Sequence, residues 1–274
     1  MIINLYRITK IGNSVFVSSI DPGGINMTTD FIGKTALVTG AARGIGLATA
    51  CAFADNGANI IACDVSGMGE LSQALASRTN NYLAMKCDVT QPTDVVELVK
   101  QGRKSFGGID IAVNNAGIVL EKALIETSDE EFARVIDVNL KGAFLIGREV
   151  ISAMIEDNRS GRIINIASEL GLLGREKFSI YCATKGAIIS LTRSWAREFA
   201  PSILVNAVAP GPVDTDMVGL EKLTPEWAEK ELNTPLGRIG KPDEIADAIL
   251  FLSGTKSTFV TGQTFGINGG VAMY

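Results

Sequence analysis

The sequence contains no histidine in its 274 residues. That absence excludes catalysis by Ser-His-Asp or Cys-His sets, and it excludes zinc sites built on imidazole. Acid–base chemistry in this protein must therefore use tyrosine, lysine, aspartate, glutamate or cysteine. We expect no metal site.

Three other features that the sequence lacks restrict the class of protein: a long apolar run, a surplus of basic residues and a C-x-x-C pair. No apolar run approaches the ~20 residues needed to cross a bilayer, which predicts a soluble protein with no membrane partner. The net charge is −5, so the chain lacks the basic surplus typical of proteins that bind nucleic acid. The four cysteines form no C-x-x-C pair, and buried reduced thiols are typical of a cytoplasmic protein.

Short apolar runs alternate with helical stretches along most of the chain, which favours a parallel sheet covered on both faces. We predict the α/β class, with a single doubly wound Rossmann domain and a parallel sheet of about seven strands, over residues 31–274. Residues 1–30 do not share this pattern, and we predict an N-terminal extension that is mobile or weakly docked. The predicted strands are 34–39, 59–63, 82–87, 109–113, 162–167, 203–208 and 264–267.

Two long helices are predicted in the second half of the chain. One runs from Phe178 to Phe199 and stops before a proline. The other covers about 129–156, and its apolar stripe consists of Phe132, Ile136, Leu140 and Phe144.

A Tyr-x-x-x-Lys spacing occurs three times, starting at Tyr6, Tyr82 and Tyr181. On a helix, positions i and i+4 are neighbours at roughly 5–6 Å, whereas on a strand they lie about 13 Å apart. The run around Tyr82 has the pattern of a strand, and the run around Tyr6 has no clear periodicity. Only Tyr181 and Lys185 are predicted to lie side by side on a helix, as a pair capable of proton transfer.

The turn from Gly40 to Gly46, after the first predicted strand, is rich in glycine and precedes a helix. Such a turn can hold a phosphate, although a tight strand-to-helix connection explains it equally well, because the G-x-G-x-x-G spacing is not met. Asp64 follows the second strand 18 positions beyond Gly46, close to the ~20 expected for a carboxylate that binds an adenosine ribose. Asp64 would repel a 2′-phosphate, so NAD is favoured over NADP, although Arg43 could pair with such a phosphate.

Polar and turn residues follow most of the other strands. Because ligands bind beyond the carboxyl ends of the strands in such a sheet, we expect these residues to surround one crevice. Each has an ordinary structural explanation when taken alone. They are Asp88, Asn114-Asn-Ala-Gly117, Ser168 and Pro210-Gly211.

Together these motifs resemble the short-chain dehydrogenase/reductase family in its compact single-domain form. The resemblance covers essentially the whole chain after the first thirty or so residues. It rests on the turn from Thr39 to Gly46, Asp88, the Asn114–Gly117 run, Asn139, Ser168 thirteen residues before Tyr181, Lys185, and Pro210-Gly211.

The resemblance implies an NAD(P)-dependent oxidoreductase in which Tyr181 exchanges a proton with the substrate oxygen while hydride moves to or from the nicotinamide. Lys185 would hold the nicotinamide ribose and lower the pKa of Tyr181, Ser168 would bind the substrate oxygen, and Asn139 would anchor a water. The implied cofactor-binding residues are Gly40, Arg43, Gly44, Ile45, Gly46, Asp64, Asp88, Val89, Asn115, Ala116, Gly117, Tyr181, Lys185, Pro210, Gly211, Val213 and Thr215.

The expected substrate is a secondary alcohol or ketone of polyol, sugar or hydroxy-acid type, with NAD as cofactor. The segments 235–242 and 260–263 are also similar to 3-oxoacyl carrier-protein reductases, which generally prefer NADP, so that activity is the alternative. Residues from about 214 to 234, including Pro225 and Trp227, are predicted to cover the substrate.

Two alternatives from other classes match less well. A catalytically silent dinucleotide-binding protein need not keep Ser168, Tyr181 and Lys185 together, and a sugar-nucleotide epimerase usually carries a larger substrate domain. The resemblance further implies a homotetramer, in which the helices that contain Asn139 and Tyr181 pack against their copies.

Overall fold

The computed structural model describes residues 5–11, 14–20, 31–219, 224 and 232–273, with side chains described from residue 31 onward. Its strands are β1 Leu5–Ile11, β2 Ser14–Ile20, β3 Thr35–Thr39, β4 Asn59–Asp64, β5 Tyr82–Lys86, β6 Ile111–Asn114, β7 Gly161–Ile166, β8 Ile203–Pro210 and β9 Thr264–Ile267. Its helices are α1 Gly44–Asp55, α2 Met68–Ala76, α3 Pro92–Phe106, α4 Asp129–Ile136, α5 Gly142–Glu156, α6 Leu170–Leu173, α7 Ser179–Phe199 and α8 Pro242–Ser253.

The strands β3 to β9 form one seven-stranded sheet in the order β5-β4-β3-β6-β7-β8-β9. Every neighbouring pair in it is parallel, which confirms the predicted α/β fold. The order changes direction between β3 and β6, and a crevice forms at the carboxyl ends of strands at such a point. Strands β1 and β2 pair antiparallel in a separate two-stranded sheet, and the assignment of residues 1–30 to an extension stays a prediction.

Side chains of the central strands alternate between two hydrophobic cores. In β3, Ala36 and Val38 join the core that α1 and α8 cover, whereas Leu37 joins the core that α3, α5 and α7 cover. Burial on both faces explains why these strands have continuous apolar sequences rather than alternating ones.

The helix predicted over 129–156 is present from Asp129 to Glu156, but it is not a regular α-helix throughout. The chain forms α4, then a π-helical turn over Asp137–Lys141, then α5. A π-helical turn holds more residues than an α-helical one, so it shifts the phase of the apolar stripe. The stripe residues Phe132 and Phe144 are 47% and 42% exposed, whereas Val135 and Leu145 are buried.

The three Tyr-x-x-x-Lys spacings fall on different elements, as predicted for the pairs that start at Tyr82 and Tyr181, whereas no element was predicted for the pair at Tyr6. Tyr82 and Lys86 are the two ends of β5, the pair that starts at Tyr6 lies on β1, and Tyr181 lies on α7. Only the last pair has its members one helical turn apart. Within the described parts of the chain, no helix is long and apolar enough to cross a membrane.

Candidate active site

The turn between β3 and α1 is held by contacts that only glycine permits. Gly40 and Gly44 have φ angles of 63° and 54°, a backbone conformation that residues with a Cβ rarely adopt. A Cβ at Gly46 would overlap the carbonyl oxygen of Gly40. The side chain of Asn115 donates from Nδ2 to the carbonyls of Thr39 and Gly40, both at 2.9 Å. The turn is therefore fixed, and the N-terminus of α1 stays open to an anionic group.

A cavity of about 710 Å³ lies over this turn, and we call it the cofactor cleft. Its volume is typical of sites for cofactors and small ligands. Gly46, another predicted cofactor residue, does not line it and packs against the carbonyl of Gly40. The predicted cofactor residues that line it are Gly40, Arg43, Gly44, Ile45, Asp64, Asp88, Val89, Asn115, Ala116, Gly117 and Thr215.

The Asp64 carboxylate is held on the wall of the cofactor cleft by backbone N–H groups. Its Oδ2 accepts from Ala42 at 3.0 Å, and its Oδ1 accepts from Val65 at 2.7 Å and from Ser66 at 3.3 Å. A carboxylate fixed here is suited to accept hydrogen bonds from ribose hydroxyls and to repel a 2′-phosphate. Arg43 is exposed and lines the same cleft, so both charges predicted to affect cofactor choice are present.

Asp88 and Val89 form another wall of the cofactor cleft. The Asp88 carboxylate accepts from the backbone and the hydroxyl of Thr90, at 2.9 and 2.8 Å. Three charged residues on the α4 side, Glu130, Arg134 and Asp137, also line the cleft, and sequence reasoning missed them. They lie on a helix and a π-helical turn, so a search confined to residues after strands could not find them.

A second cavity, of about 210 Å³, contains Ser168, Tyr181 and Lys185, and we call it the reaction pocket. Ile45, Asn115, Gly117, Thr215 and Met217 line both cavities, so the two are adjacent. The predicted residues Pro210, Gly211 and Val213 line the reaction pocket as well.

The Lys185 ammonium lies beside the ring of Tyr181. Its Nζ is 5.7 Å from the ring centroid and donates to the carbonyl of Ile166 at 2.8 Å. The lysine is 5% exposed. Burial lowers the pKa of Lys185 to about 8, because removal of water disfavours the ammonium.

The pKa of Tyr181 is shifted in the direction opposite to the expectation. Burial of the phenol raises the pKa of Tyr181, and the negative charge of Glu169 raises it further. A hydrogen bond with Ser168 acts in the other direction. The sequence predicted that Lys185 lowers this pKa, but the pKa of Tyr181 is raised, with burial as the largest cause and the charge of Glu169 as the next, and the lysine itself is less readily charged than usual.

Asn139 lies in the π-helical turn, 2% exposed. Its Nδ2 donates to the carbonyl of Ile118 at 2.9 Å and to Thr184 Oγ1 at 3.2 Å, and its Oδ1 accepts from the Ile118 N–H at 2.8 Å. The Thr184 hydroxyl in turn donates to the carbonyl of Tyr181 at 2.8 Å. Asn139 thus ties the loop after β6 to α7, behind both cavities, and its role in anchoring a water stays a prediction.

Ser168 follows β7 and is 6% exposed. Its Oγ accepts from the Leu170 N–H at 3.1 Å and donates to Glu169 Oε2 at 3.4 Å. Sequence reasoning missed three residues of this wall of the reaction pocket: Glu169, Arg175 and Phe178. The charge of Glu169 directly after the strand-end serine was a usable signal, whereas Arg175 and Phe178 are brought in by the loop before α7.

Of the segment predicted to cover the substrate, the structure describes residues 214–219, 224 and 232–234. Thr215, Met217 and Val218 line the reaction pocket, as expected for the start of such a segment. Pro225 and Trp227 lie outside the described residues.

The chain is similar to known proteins over most of its length. A crystal structure of a short-chain dehydrogenase/reductase from Brucella melitensis, titled glucose/ribitol dehydrogenase, superposes with a TM-score of 0.85 at 36% identity, covering 90% of this chain and 100% of that one. Residues 40–272 match the family described as Enoyl-(Acyl carrier protein) reductase. The chain belongs to the short-chain dehydrogenase/reductase family.

Among curated relatives of this short-chain dehydrogenase/reductase are proteins named 3-oxoacyl-[acyl-carrier-protein] reductase. The one from Thermotoga maritima is 42% identical over 248 residues, covering 88% of this chain and 98% of the relative. The one from Vibrio cholerae is 39% identical over the same length and with the same coverage. The protein is therefore an oxidoreductase that acts on CH–OH groups with a nicotinamide cofactor, and the glycine turn and Asp64 fit such a cofactor.

Proposed function

We propose that this enzyme reduces the 3-oxo group of a 3-oxoacyl thioester, with Tyr181 as the proton donor. The observation that carries the proposal is the presence of Ser168, Tyr181 and Lys185 in one pocket beside the cofactor cleft. The choice of thioester is supported by the relatives from T. maritima and V. cholerae, which carry that activity in their names and match over almost their whole length.

Each residue of the reaction pocket has a distinct part in the proposed reaction. The Ser168 hydroxyl donates a hydrogen bond to the substrate oxygen, where negative charge develops. Tyr181 donates its proton to the same oxygen. The Lys185 ammonium, fixed by the Ile166 carbonyl, adds positive charge beside the phenol, and Asn139 keeps α7 in register with the loop after β6.

For the cofactor we propose NAD(H), held by the glycine turn at its phosphates and by Asp64 at its adenosine ribose. When bound, it supplies or accepts the hydride. Asp88 and Val89 would flank the adenine, while Val213 and Thr215 would contact the nicotinamide amide. Asp64 supports this choice because its carboxylate is oriented by three backbone N–H groups and cannot easily turn away from a 2′-phosphate.

A second candidate is the NAD-linked oxidation of a polar secondary alcohol, such as a polyol, sugar or hydroxy acid. Asp64 favours it, because NAD is the usual acceptor in oxidation. The charged lining of the reaction pocket, with Glu121, Glu169 and Arg175, also suits a polar substrate. The similar structure from B. melitensis carries glucose/ribitol dehydrogenase in its title.

The test is a matrix of initial rates. Acetoacetyl thioesters would be assayed with NADH and NADPH, and a panel of polyols, sugars and hydroxy acids with NAD⁺ and NADP⁺, each also with Tyr181→Phe. We expect thioester reduction to dominate and the variant to lose at least about a hundred-fold. Turnover confined to the alcohols would transfer the assignment to the second candidate, and full activity of Tyr181→Phe would refute the role of the phenol.

We also propose that the protein is a cytoplasmic homotetramer. Support comes from the faces of α4, α5 and α7 that the single chain leaves uncovered. Phe132 and Phe144 are large exposed apolar side chains, and Ala183 and Ser190 are small exposed residues that allow helices to approach closely.

A further inference from the structure

A chain of buried polar side chains joins the central sheet to α7. Asn114 Nδ2, at the end of β6, donates to Asn165 Oδ1 of β7 at 2.8 Å, and Asn165 Nδ2 donates to Thr192 Oγ1 of α7 at 2.9 Å. Asn114 is 5% exposed, whereas Asn165 and Thr192 are completely buried. Asn165 is therefore the middle member of a hydrogen-bonded link between two strands and the helix that carries Tyr181 and Lys185.

Stability does not explain this link. Among the residues that the structure describes, the buried Asn114 Oδ1 has no hydrogen-bond partner. A buried polar network that is only partly satisfied is less favourable than apolar side chains of the same shape. Ala112 of β6 and Ile163 of β7, which precede Asn114 and Asn165 on the same face, belong to the apolar core under α3, α5 and α7. The amides therefore have a use other than stability.

The position of Asn165 shows what that use is. The next residue, Ile166, lines the reaction pocket, and its carbonyl accepts from Lys185 Nζ at 2.8 Å. The same strand and helix are thus joined twice, at adjacent residues of β7 and at two positions of α7 that lie about 10 Å apart along its axis. A single contact through a flexible lysine side chain leaves the helix free to tilt, whereas two separate links fix its position and its direction.

A comparable link lies on the other side of Lys185. Thr184 Oγ1 accepts from Asn139 Nδ2 at 3.2 Å and donates to the Tyr181 carbonyl at 2.8 Å. Thr192 Oγ1 likewise donates to a carbonyl of its own helix, that of Ile188, at 2.8 Å. Because each hydroxyl hydrogen is directed to the helix, each threonine oxygen accepts from an asparagine amide. Asn139 connects α7 to the loop after β6, and Asn165 connects it to the strands themselves.

We propose that Asn165 is a positioning residue for the reaction: its amide fixes α7 on β6 and β7 through Thr192, and thereby holds the Lys185 ammonium and the Tyr181 phenol in the reaction pocket. This inference rests on the proposed roles of Tyr181 and Lys185, but it does not depend on which substrate is reduced. Transfer steps are sensitive to such placement, since a displacement of about 1 Å can cost roughly a hundred-fold in rate.

The first test compares kcat and KM in variants of Thr192. Thr192→Val keeps the shape of the side chain but removes the oxygen that accepts from Asn165. We expect kcat to fall about ten-fold with little change in KM, because the placement of reacting groups is lost rather than binding. Thr192→Ser keeps the hydroxyl and should retain most of kcat. Thr192→Ala is a second variant without the hydroxyl, in case valine disturbs the packing.

Two further variants assign the effect to the link. Asn165→Leu should lower kcat as Thr192→Val does, and the double variant should lower it no further, because each substitution removes the same link. Ile60→Val shortens a fully buried side chain of β4 and controls for a loss of stability alone. Denaturant unfolding would show how much stability each variant loses, and Ile60→Val should keep its kcat.

The second test needs no substrate. The fluorescence decay of bound reduced cofactor reports how firmly the nicotinamide is held, and the nicotinamide ribose is the group that Lys185 is expected to bind. In Thr192→Val we expect this decay to shorten, while the dissociation constant changes little because the glycine turn and Asp64 are outside the link. Thr192→Ser and Ile60→Val should show the decay of the unsubstituted protein.

Unchanged kcat and fluorescence decay in Thr192→Val would overturn the proposal, and so would an equal loss in Thr192→Ser or Ile60→Val. A shortened decay in a protein that turns over none of the assayed substrates would support this inference and count against the proposed function alone.

Discussion

Lys185 is required for the proposed chemistry, but the burial of its ammonium lowers the stability of the folded protein. It is 5% exposed, and burial holds its pKa at about 8, below the ordinary 10.5. Below pH 8 the native ammonium is desolvated, and the whole penalty is present. Between pH 8 and 10.5 the unfolded chain binds a proton that the native protein does not, so stability rises with pH across that interval.

We therefore expect Lys185→Met to be inactive yet more stable at pH 7, by up to about 3 kcal/mol for a pKa difference of this size. The advantage of the variant should shrink as the pH rises from 8 to 10.5. Denaturant unfolding at several pH values measures both effects. Lys100→Met is the matched control, because the Lys100 side chain is 71% exposed; a pH-independent difference for Lys185→Met would contradict the argument.

Asp64 is the residue on which cofactor choice is expected to depend. Asp64→Asn keeps the size of the side chain and removes the charge, so the ratio of kcat/KM for NAD to that for NADP should fall about ten-fold or more, since unit charges ~4 Å apart interact by about 1–4 kcal/mol. Arg43→Ala should change the ratio in the opposite direction by weakening use of NADP. An unchanged ratio in Asp64→Asn would show that this carboxylate does not determine the choice.

At the scale of elements, the spacing of α5 and α7 depends on one glycine. A Cβ at Gly147 would overlap the indole of Trp195, which is 8% exposed in the core between these helices. Close packing there fixes α7, and with it Tyr181 and Lys185, relative to the sheet. The contact between α5 and α7 at Gly147 therefore helps to hold the residues of the reaction pocket in place.

Gly147→Ala should destabilise the protein by about 1–3 kcal/mol, the usual cost of overpacking a core. Gly69→Ala is the control, because Gly69 is also helical and its added Cβ would meet nothing within 4 Å. It should stabilise the protein by roughly 0.5–1 kcal/mol, through helix propensity and a less flexible unfolded chain. The two free energies of unfolding should differ in sign, and equal effects would exclude the steric explanation.

The π-helical turn between α4 and α5 is the element that sequence reasoning could not find. The apolar spacing from Phe132 to Phe144 is compatible with a regular α-helix. A reason for the π-helical turn is visible only in the fold, where Asn139 forms hydrogen bonds with Ile118 and Thr184. Strands, in contrast, were predictable within a few residues, because each is short, apolar and bounded by turn residues.

At the scale of the whole molecule, the exposed aromatic residues of α4 and α5 bear on assembly. Phe144 is 42% exposed, with the Arg148 guanidinium 5.6 Å from its ring centroid. If these faces pack against copies of themselves, Phe144→Glu should lower the mass of the protein in solution. Light scattering coupled to size-exclusion chromatography measures that mass. Val96→Glu places the same charge at a 45% exposed apolar position of α3 and should leave the mass unchanged; an equal response of both variants would argue against the proposed interface.

The sequence alone determined the α/β sheet, the glycine turn, Asp64 and the Ser168, Tyr181 and Lys185 set. Local periodicity and strand ends encode these features, because parallel strands bring their carboxyl ends to one edge. Tertiary structure decided the rest: which face of each helix is buried, where the π-helical turn falls, and the burial and charge around the phenol. Desolvation and the Glu169 carboxylate depend on the packing of segments distant in the chain, so the direction of the pKa shift of Tyr181 could not follow from the spacing of Tyr181 and Lys185.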